Sequence, residues 1–317
     1  MFYSTHQVRI AGTGSYTPEK VLSNADLVKR VATSSEWIEA NLGILERRVA
    51  RDDEFTSDLA AQAGLRAIEM AGIDKNDVDL VIVATATPDR KAPSAACLAQ
   101  HKMGITNGCP AFDLGAVCSG FLYAMTVACQ FIRTEMYRNV LVVGADTFSK
   151  ITDWSRRDCV FFGDGAGAIV LQAVKHDEGL FSSVLYADGR GHEGFTVRPG
   201  DEYFTMDAKA VYEVGSTALT AAIREVVAMN GFELGDITSV VPHQPSIRLL
   251  RRTAELLEIP FARFHTNMDR YANTSGGTIP LLLDEVNRAG RFKRGDLVVF
   301  AAVGSGWTWG ASLYRWI

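Results

Sequence analysis

One of the five cysteines lies in a sequence context that suits nucleophilic chemistry. Cys118 stands in the segment DLGAVCSGFLYAM, after a short apolar stretch and before a helical pattern, so it falls at a helix N-terminus. The partial positive charge there favours a thiolate, which lowers the pKa of the thiol and prepares it for covalent catalysis. Taken alone, Cys118 could equally be inert packing. The remaining cysteines are interpreted as packing residues: Cys97, Cys109, Cys129 and Cys159.

Two polar residues in the C-terminal half could assist such a thiol. His243 follows the apolar strand Thr238–Val241, and open α/β sheets bind ligands at the carboxyl ends of strands. Asn273 lies in the Gly-rich turn YANTSGGTIP, before a helical segment at Ile279–Arg288. Considered separately, His243 could be a surface or core residue, and Asn273 a turn or capping residue. The other histidines are interpreted in that ordinary way: His6, His101, His176, His192 and His265.

A run of small residues near the C-terminus could expose backbone N–H groups. The segment VGSGWTWGA, residues 303–311, follows the last predicted strand. Alone, it is consistent with a tight turn or, more weakly, with an anion-binding nest of amides.

The elements that must position these residues alternate between strands and helices. Val78–Thr85 and Val140–Gly144 have the continuous apolar character of buried parallel strands. Helical periodicity covers Ser57–Ala71 and Ser119–Met136. This alternation predicts an α/β fold, with a parallel or mixed sheet covered by helices on both faces.

The order of elements recurs about 160 residues later, which is typical of an internal duplication. The helices Thr56–Met70 and Val211–Met229 are each followed by a Gly turn, an acidic turn, an apolar strand and a proline. The final strand Leu297–Ala302 likewise resembles Val140–Gly144. These features predict two similar halves, although any α/β chain can produce a weak repeat by chance.

The two predicted halves should share an interface, because no Pro- or Ser-rich linker separates them. A strand-like stretch gives way to a charged turn near Gln172–Gly179. We therefore expect an N-terminal half at residues 1–173, which carries the nucleophile, and a C-terminal half at residues 174–317, which carries His243 and Asn273.

Composition argues against several other classes of protein. With 47% hydrophobic and 22% charged residues among 317, the chain fits a globular protein, and its net charge of −5 disfavours general nucleic-acid binding. No apolar run approaches the ~20 residues of a membrane span, and the first residues lack a signal-peptide core. Scattered cysteines without a CxxC pair argue against a disulfide scaffold or a zinc site. We expect a cytoplasmic protein without membrane, nucleic-acid or metal partners.

In combination, these segments are more specific than any one alone. The sequence resembles β-ketoacyl-acyl carrier protein synthase III, a family of the thiolase superfamily, in motifs that cover essentially the whole chain in family order. The motifs are CSGF at Cys118, HQPSIR at His243, NTSGGTIP at Asn273, GDGAGA at Gly163–Ala168, GSGWTWGA near the C-terminus, TSSEWI at Thr33 and PSAAC at Pro93. The resemblance implies a five-layered αβαβα thiolase-like fold of two pseudo-duplicated halves, a homodimer and a Cys-His-Asn triad.

The resemblance also implies a reaction in two steps. Cys118 takes an acyl group from a coenzyme A thioester, while the backbone N–H groups of Cys118 and Ser305 stabilise the oxyanion. A malonyl thioester, with acyl carrier protein as the expected partner, then loses carbon dioxide. Neutral His243 and the Asn273 amide donate hydrogen bonds to the enolate, which attacks the acyl group on Cys118 and forms a 3-ketoacyl thioester. No cofactor is expected beyond these substrates.

Residues that would bind coenzyme A follow from the family pattern. A Trp and an Arg of the family sandwich the adenine; Trp37 matches the first and Arg156 the second, with Arg157 as the alternative. Lys209 falls at a pantetheine-lining position, and Arg248 lies just after the histidine motif. For each of them, ordinary surface cover is the alternative.

A basic patch follows the histidine motif at helical spacing. Arg248, Arg251 and Arg252 are expected to lie at the tunnel mouth and to attract an acidic carrier protein or phosphopantetheine. A solvated helix face is the alternative interpretation.

Some positions depart from the family pattern, and they fall on substrate contacts. Asn41 replaces a family arginine that contacts coenzyme A, and Ser246 replaces the Asn of the histidine motif. Ala208-Lys209 replaces a Gly-Asn pair that lines the pantetheine path. A phenylalanine that plugs the acyl pocket from the partner subunit in the family aligns with Ala92, and another near the C-terminal glycines aligns with Val303. The loss of both rings predicts a larger pocket, and Arg90 and Lys91 could hold a carboxylate there. We hypothesise a medium-chain, branched, aromatic or dicarboxylic starter. The alternative is that Arg90 and Lys91 face solvent.

Other functions are open on the residues alone. Acyl transfer to an alcohol or amine would use the same nucleophile but would leave no enolate for His243 and Asn273 to stabilise. A non-catalytic acyl-binding subunit is disfavoured by the complete triad. A degradative thiolase would need a second cysteine near the C-terminus, and none follows Cys159. Chalcone-type synthases share the triad but not the surrounding motifs.

Overall fold

Strands and helices alternate along the chain, as the periodicity predicts, and a computed structural model describes residues 6–317. The strands in this range are β1 (His6–Tyr16), β2 (Lys20–Ser23), β3 (Glu46–Val49), β4 (Leu80–Ala84), β5 (Ala111–Leu114), β6 (Asn139–Thr147), β7 (Asp164–Lys175), β8 (Phe181–Ala187), β9 (Phe195–Thr196), β10 (Thr205–Met206), β11 (Ser239–Pro242), β12 (Leu297–Gly304) and β13 (Thr308–Arg315). The α-helices are α1 (Asn24–Leu27), α2 (Ser35–Leu42), α3 (Thr56–Ala71), α4 (Ala95–Met103), α5 (Gly120–Arg133), α6 (Ala208–Ala228), α7 (Ile247–Leu257), α8 (Met268–Tyr271) and α9 (Thr278–Arg288).

The first large sheet has the strand order β1-β7-β6-β4-β5. Strands β4, β5 and β6 run parallel, whereas β7 is antiparallel to both β1 and β6. Every residue of β4 is buried, in agreement with the buried parallel strand that its apolar run predicts. Strand β5 forms an edge of this sheet, and its residues are partly exposed.

The second sheet repeats this topology with the order β11-β12-β13-β8. Strand β11 is parallel to β12, and β13 is antiparallel to both β12 and β8. A single parallel bridge between Val240 and Phe264 occupies the place that β5 holds in the first sheet. The predicted duplication is therefore present as two sheets of equivalent strand order and direction.

The helices complete five layers around the two sheets. The two faces of the first sheet are covered by different helices, as β4 shows. Ile82 packs into the cluster that contains α5 and α9, whereas Val83 packs against α3 and α4 on the opposite face. The α5–α9 cluster also includes Phe300 of β12, so these helices lie between the sheets. Helices α6 and α7 cover the outer face of the second sheet. The layer order is αβαβα, as expected.

The chain passes from the first sheet to the second between Lys175, at the end of β7, and Phe181, at the start of β8. The boundary expected between residues 173 and 174 therefore falls inside the end of β7. The halves are in direct contact, because the Ile10 N–H donates a hydrogen bond of 2.9 Å to the Tyr314 hydroxyl.

One segment of the N-terminal half packs with the C-terminal half. Residues 20–49 carry β2, α1, α2 and β3, and their side chains Leu22 and Ile38 share a hydrophobic cluster with Ile223 of α6 and Leu250 of α7. Division by sequence order at residue 173 therefore does not describe the packing of this segment. Its position brings α2 to the surface beside α7.

No helix among residues 6–317 has the length and apolar character needed to cross a bilayer. In the same part of the chain, no cluster of three or more His, Cys, Asp or Glu side chains could bind a metal ion. All five cysteines are free thiols in this structure.

Candidate active site

Cys118 lies at a sharp connection between the first sheet and the helix behind it. After β5 the chain forms a 3-10 turn over Val117–Ser119 and enters α5 at Gly120. Val117 has a φ of 47°, in the left-handed region. A Cβ on Gly120 would lie 3.3 Å from the Cβ of Ala84, so glycine allows α5 to start directly against β4. The structure places Cys118 just before the N-terminus of α5, where the sequence pattern indicates.

Burial dominates the acidity of this thiol. The residue is half-buried, but its sulfur is enclosed by protein, and the loss of hydration raises the pKa of Cys118 to about 12 from its ordinary 9.0. A hydrogen bond of 3.6 Å between Cys118 Sγ and Ser275 Oγ lowers the pKa, and the charge of Asp146 raises it. This rise corresponds to about 4 kcal/mol, whereas a helix terminus contributes at most about 2 kcal/mol. The expectation of a lowered pKa for Cys118 is therefore wrong.

A buried carboxylate lies close to the nucleophile, and sequence reasoning did not single it out. Asp146 is in β6, and its Oδ1 accepts hydrogen bonds of 2.8–3.0 Å from Thr85, Ala86 and Thr87. Its Oδ2 accepts a hydrogen bond of 2.9 Å from the Gly276 N–H. Burial raises the pKa of this carboxyl, and the donors oppose that effect. Asp146 thus joins the strand ends of the first sheet to a loop of the C-terminal half.

His243 immediately follows β11, at the carboxyl end of that strand. Its backbone N–H donates a hydrogen bond of 2.8 Å to the Ala301 carbonyl in β12, and its side chain is buried. Its Nδ1 lies 2.7 Å from Thr278 Oγ1. Burial lowers the pKa of His243 to about 3, so the imidazole is neutral at neutral pH.

Asn273 is held from both sides by the turn that precedes β7. Its N–H donates to the Phe161 carbonyl at 3.1 Å, and its own carbonyl accepts from the Gly163 N–H at 3.0 Å. The side-chain Oδ1 accepts a hydrogen bond of 2.8 Å from the Ser275 N–H. Within residues 6–317 the Nδ2 amide group has no hydrogen-bond partner, so it can donate into the site.

Glycines in β6 and β7 allow this loop to approach the first sheet. A Cβ on Gly167, in the GDGAGA motif, would lie 2.2 Å from the Leu281 nitrogen. A Cβ on Gly144 would lie 2.1 Å from the Gly276 carbonyl oxygen. Since no side chain fits at either position, the glycines position the Asn273 loop by close backbone packing.

The turn between β12 and β13 contacts the backbone of the nucleophile. A Cβ on Gly304 would lie 3.0 Å from the Ser119 nitrogen and 3.1 Å from the Cys118 nitrogen. The Ser305 hydroxyl donates a hydrogen bond of 2.5 Å to the Phe195 carbonyl. Among residues 6–317, the N–H groups of Cys118 and Ser305 donate to no other residue. Both amides can therefore serve an oxyanion, in the role that the resemblance implies.

The three triad side chains line one narrow cavity. Cys118, His243 and Asn273 surround it together with Gly304 and Ser305, and its volume is ≈ 40 Å³. That volume holds only about one or two water molecules. The remaining walls are mostly apolar and come from Val117, Phe162, Phe195, Met206, Val211, Pro245, Val303 and Trp307.

One of the four residues expected at the acyl pocket lines this cavity. Val303 does so, whereas Arg90, Lys91 and Ala92 are exposed on the loop between β4 and α4 and contribute nothing to its wall. The loop is anchored by Asp89, which accepts two hydrogen bonds from Ser57, at 2.8 and 2.6 Å. Because the resemblance implies that this loop reaches the acyl pocket of a partner subunit, the role of Arg90, Lys91 and Ala92 there stays a prediction.

The guanidinium that lies over the Trp37 ring is that of Arg157, the alternative assignment. The Arg157 guanidinium lies 4.2 Å from the centroid of the Trp37 ring. Arg156 instead pairs with the Asp158 carboxylate at 2.7 Å. All four residues line an open depression of ≈ 520 Å³, which is large enough for a nucleotide moiety.

The other two residues expected on the coenzyme A path are both exposed. Arg248 donates a hydrogen bond of 2.9 Å to Asn41 Oδ1, which connects α7 to α2. Lys209 lies on α6 and pairs with Glu213 at 3.8 Å. Ala208, rather than Lys209, lines the depression beside Trp37.

The arginines expected to bind the carrier protein share the exposed face of α7. Arg248, Arg251 and Arg252 point outward, while Leu249 and Leu250 are buried against the core. The helix begins four residues after His243, and Pro245, which lies between them, lines the catalytic cavity.

Comparison with known proteins agrees with this geometry. Residues 112–189 match the family model of 3-oxoacyl-[acyl-carrier-protein (ACP)] synthase III, and residues 227–316 match the model of its C-terminal part. The chain is 45% identical to the β-ketoacyl-[acyl-carrier-protein] synthase III of Xanthomonas campestris pv. campestris, over 97% of this chain and 98% of that protein. The enzyme of the same name from Alkalilimnicola ehrlichii is also 45% identical, over 97% and 99%.

A solved structure shows the same architecture. The crystal structure of 3-oxoacyl-[acyl-carrier-protein] synthase III from Aquifex aeolicus VF5 superposes with a TM-score of 0.94 at 40% identity, covering 98% of this chain and 100% of that one. Identity at this level over nearly the full length of both chains shows common membership of a family. Together with the cavity that unites Cys118, His243 and Asn273, it identifies the chain as a member of the β-ketoacyl-[acyl-carrier-protein] synthase III family of acyl-transferring condensing enzymes.

Proposed function

We propose that this enzyme transfers an acyl group from acyl-coenzyme A to Cys118 and condenses it with malonyl-acyl carrier protein, as an initiating step of fatty-acid synthesis or a related specialised pathway. One observation carries the proposal. Cys118 from one half, and His243 and Asn273 from the other, line a single cavity beside two available backbone N–H groups.

In the first half-reaction, Cys118 Sγ attacks the carbonyl carbon of the acyl thioester. Negative charge develops on the carbonyl oxygen, where the N–H groups of Cys118 and Ser305 can donate. As the tetrahedral adduct collapses, the bond to the coenzyme A sulfur breaks and that sulfur takes up the proton lost by Cys118. The products are the acyl-enzyme and free coenzyme A.

In the second half-reaction, the malonyl thioester loses carbon dioxide, and the electron pair of the broken bond enters an enolate. The Nδ2 group of Asn273 supports this step, because its Oδ1 is already bonded to the Ser275 N–H. The α-carbon then attacks the acyl carbon on Cys118, whose sulfur leaves as a thiolate and takes up a proton from water. This forms a 3-ketoacyl thioester, and no step requires a metal or an organic cofactor.

Surface features support acyl carrier protein as the partner of the second half-reaction. Arg248, Arg251 and Arg252 present positive charge beside the cavity, and a carrier protein that is acidic would be attracted to this face. The Trp37–Arg157 depression suits the nucleotide end of coenzyme A in the first half-reaction.

A homodimer is part of the proposal. Strand β5 is a partly exposed sheet edge, and its unpaired backbone groups would be protected by pairing with a second copy. Five free cysteines favour a reducing compartment, so we place the enzyme in the cytoplasm.

The starter is proposed to be larger or more polar than acetyl, because Ala92 and Val303 replace aromatic residues of the family pattern. The cavity of ≈ 40 Å³ in one chain is too small for such a group. A longer acyl chain would therefore have to displace the β9–β10 hairpin, which supplies Phe195 and Met206 to the wall.

Mass spectrometry of the intact enzyme tests the whole proposal. We expect a panel of acyl-coenzyme A thioesters to acylate Cys118, and malonyl-acyl carrier protein then to discharge the acyl group with release of carbon dioxide. Cys118→Ala should abolish the acylation and the formation of the 3-ketoacyl thioester, whereas the control Cys97→Ala, at an exposed thiol, should retain both. If acetyl-coenzyme A outpaces every larger thioester, the proposal of a larger starter fails. Discharge to an alcohol or amine without carbon dioxide would establish the simple acyltransferase instead.

A further inference from the structure

The Thr278 hydroxyl occupies a position that constrains the chemistry of His243. Thr278 is buried at the start of α9, with its Oγ1 2.7 Å from His243 Nδ1. The same oxygen lies 2.9 Å from the backbone carbonyl of Ser275. Ser275 in turn lies beside the nucleophile, so the three residues form a continuous polar path to the cavity.

The hydroxyl has a single proton to share between these two neighbours. A backbone carbonyl can only accept a hydrogen bond, so the Thr278 proton must point at Ser275 for that contact to be attractive. If the proton pointed at His243 instead, the Ser275 and Thr278 oxygens would face each other at 2.9 Å without a hydrogen between them. The arrangement that satisfies both contacts has His243 Nδ1–H as the donor and Thr278 Oγ1 as the acceptor.

We propose that Thr278 is a positioning residue that holds the resting His243 as its Nδ1–H tautomer, so that the unprotonated Nε2 acts as the base for Cys118. The inference rests on the proposed function and assigns the proton path of its first half-reaction. Neutral His243 then cannot donate from Nε2 into the cavity. Stabilisation of the enolate in the second half-reaction falls to the Asn273 amide.

The proton must move together with the attack of sulfur. Burial disfavours a free thiolate at Cys118 and a free imidazolium at His243, so neither ion accumulates alone. As Sγ bonds to the acyl carbon, its proton passes to Nε2 and the negative charge passes to the carbonyl oxygen. When the adduct collapses, Nε2 returns the proton to the departing coenzyme A sulfur. The imidazole is neutral before and after the step.

The tautomer can be observed directly by nitrogen-15 NMR of the histidine side chains in the free enzyme. The His243 resonances are identified by their loss in His243→Asn. We expect the pattern of a protonated Nδ1 and an unprotonated Nε2. A protonated Nε2 in the resting enzyme would overturn the proposal. This measurement needs no substrate, so it stands even if the proposed reaction fails.

Kinetics of the separate half-reactions test the consequence. Thr278→Val, which keeps the shape but loses the hydroxyl, should slow acylation of Cys118 by about 10- to 100-fold, the usual effect of losing an orienting partner. Thr278→Ser should restore the rate to within about threefold of wild type. The matched control is Thr253→Val, because Thr253 is equally buried and its hydroxyl donates only to the Leu249 carbonyl, at 3.0 Å.

Decarboxylation of the malonyl thioester is measured in a Cys118→Ala background, where no acylation occurs. There, Thr278→Val should change the rate by less than about threefold, because Asn273 provides the donor. An equal loss in both half-reactions would contradict the proposal and indicate a general packing role. Failure of the wild-type enzyme to be acylated would contradict the proposed function, with the NMR result unaffected.

Discussion

The raised pKa of the Cys118 thiol can be tested by its rate of alkylation. Only the thiolate reacts with iodoacetamide, so the rate follows the ionised fraction of the thiol. With the pKa raised to about 12, the rate for Cys118 in the free enzyme should increase about tenfold per pH unit from roughly pH 7 to pH 10, without a plateau.

The expected rate at neutral pH follows from two opposing effects. At about pH 7.5, raising the pKa from 9.0 to about 12 reduces the thiolate fraction by about a thousandfold. A more basic thiolate is a stronger nucleophile, and a Brønsted slope of about 0.4–0.5 recovers roughly 20-fold of that loss. We therefore expect Cys118 to react roughly 50-fold more slowly than an unperturbed thiol of equal access.

Peptide mapping by mass spectrometry resolves the rate at each cysteine. The exposed Cys97 serves as an internal reference, and Cys118→Ala confirms the peptide assignment. The slope against pH carries the test, because limited access lowers the rate of Cys118 without altering its pH dependence. A plateau below about pH 9 would refute the reasoning, since it would mean that the field at the start of α5 outweighs desolvation.

Three further predictions concern other parts of the site. The His243 pKa of about 3 lies below its value of 6.5 in the unfolded chain, so protonation below pH 6.5 favours the unfolded chain. The free energy of unfolding is therefore highest above pH 6.5 and decreases as the pH falls toward 3. Between about pH 7 and pH 5, the wild type should lose about 2 kcal/mol more unfolding free energy than His243→Asn loses. Urea titrations of both proteins at one concentration measure this difference, and equal losses in the two proteins would contradict it. Arg157→Ala should raise the KM for acyl-coenzyme A more than Arg156→Ala does, because the Arg157 guanidinium lies on the tryptophan ring; the reverse order in initial-rate kinetics would favour the other assignment. Gly304→Ala should slow acylation by about 100-fold or more, because its Cβ would crowd the backbone N–H of Cys118. The control Gly189→Ala should leave the acylation rate unchanged, because its Cβ would have no heavy atom within 4 Å. Equal acylation rates in the two variants would exclude close packing at the Gly304 turn.

Local periodicity determined much of the fold correctly. The apolar run at Val78–Thr85 contains the buried strand β4, and the run at Val140–Gly144 lies within β6, because a strand covered on both faces needs apolar residues at every position. The repeated order of helix, turn and strand corresponds to two equivalent sheets. Local periodicity could not predict the packing between segments that are distant in the chain. Residues 20–49 are an example, because they lie against the C-terminal half, where their apolar side chains complete its outer layer.

Substrate contacts were less predictable than the triad. Residue types and family motifs pointed to Cys118, His243 and Asn273, which the fold brings to one cavity. The choice between Arg156 and Arg157 depends on a single turn of the chain, and only the orientation of the side chains distinguishes them.

The sequence by itself determined that Cys118, the proposed nucleophile, lies at a helix start, because residue type and local pattern carry that information. The tertiary structure alone decided how acidic the thiol is and what surrounds it. Desolvation, the charge of Asp146 and the contact with Ser275 all depend on distances between residues far apart in the chain. For the same reason, the partner of His243 could not be read from the sequence. Thr278 is 35 positions away from it and becomes its neighbour only when α9 packs beneath the second sheet.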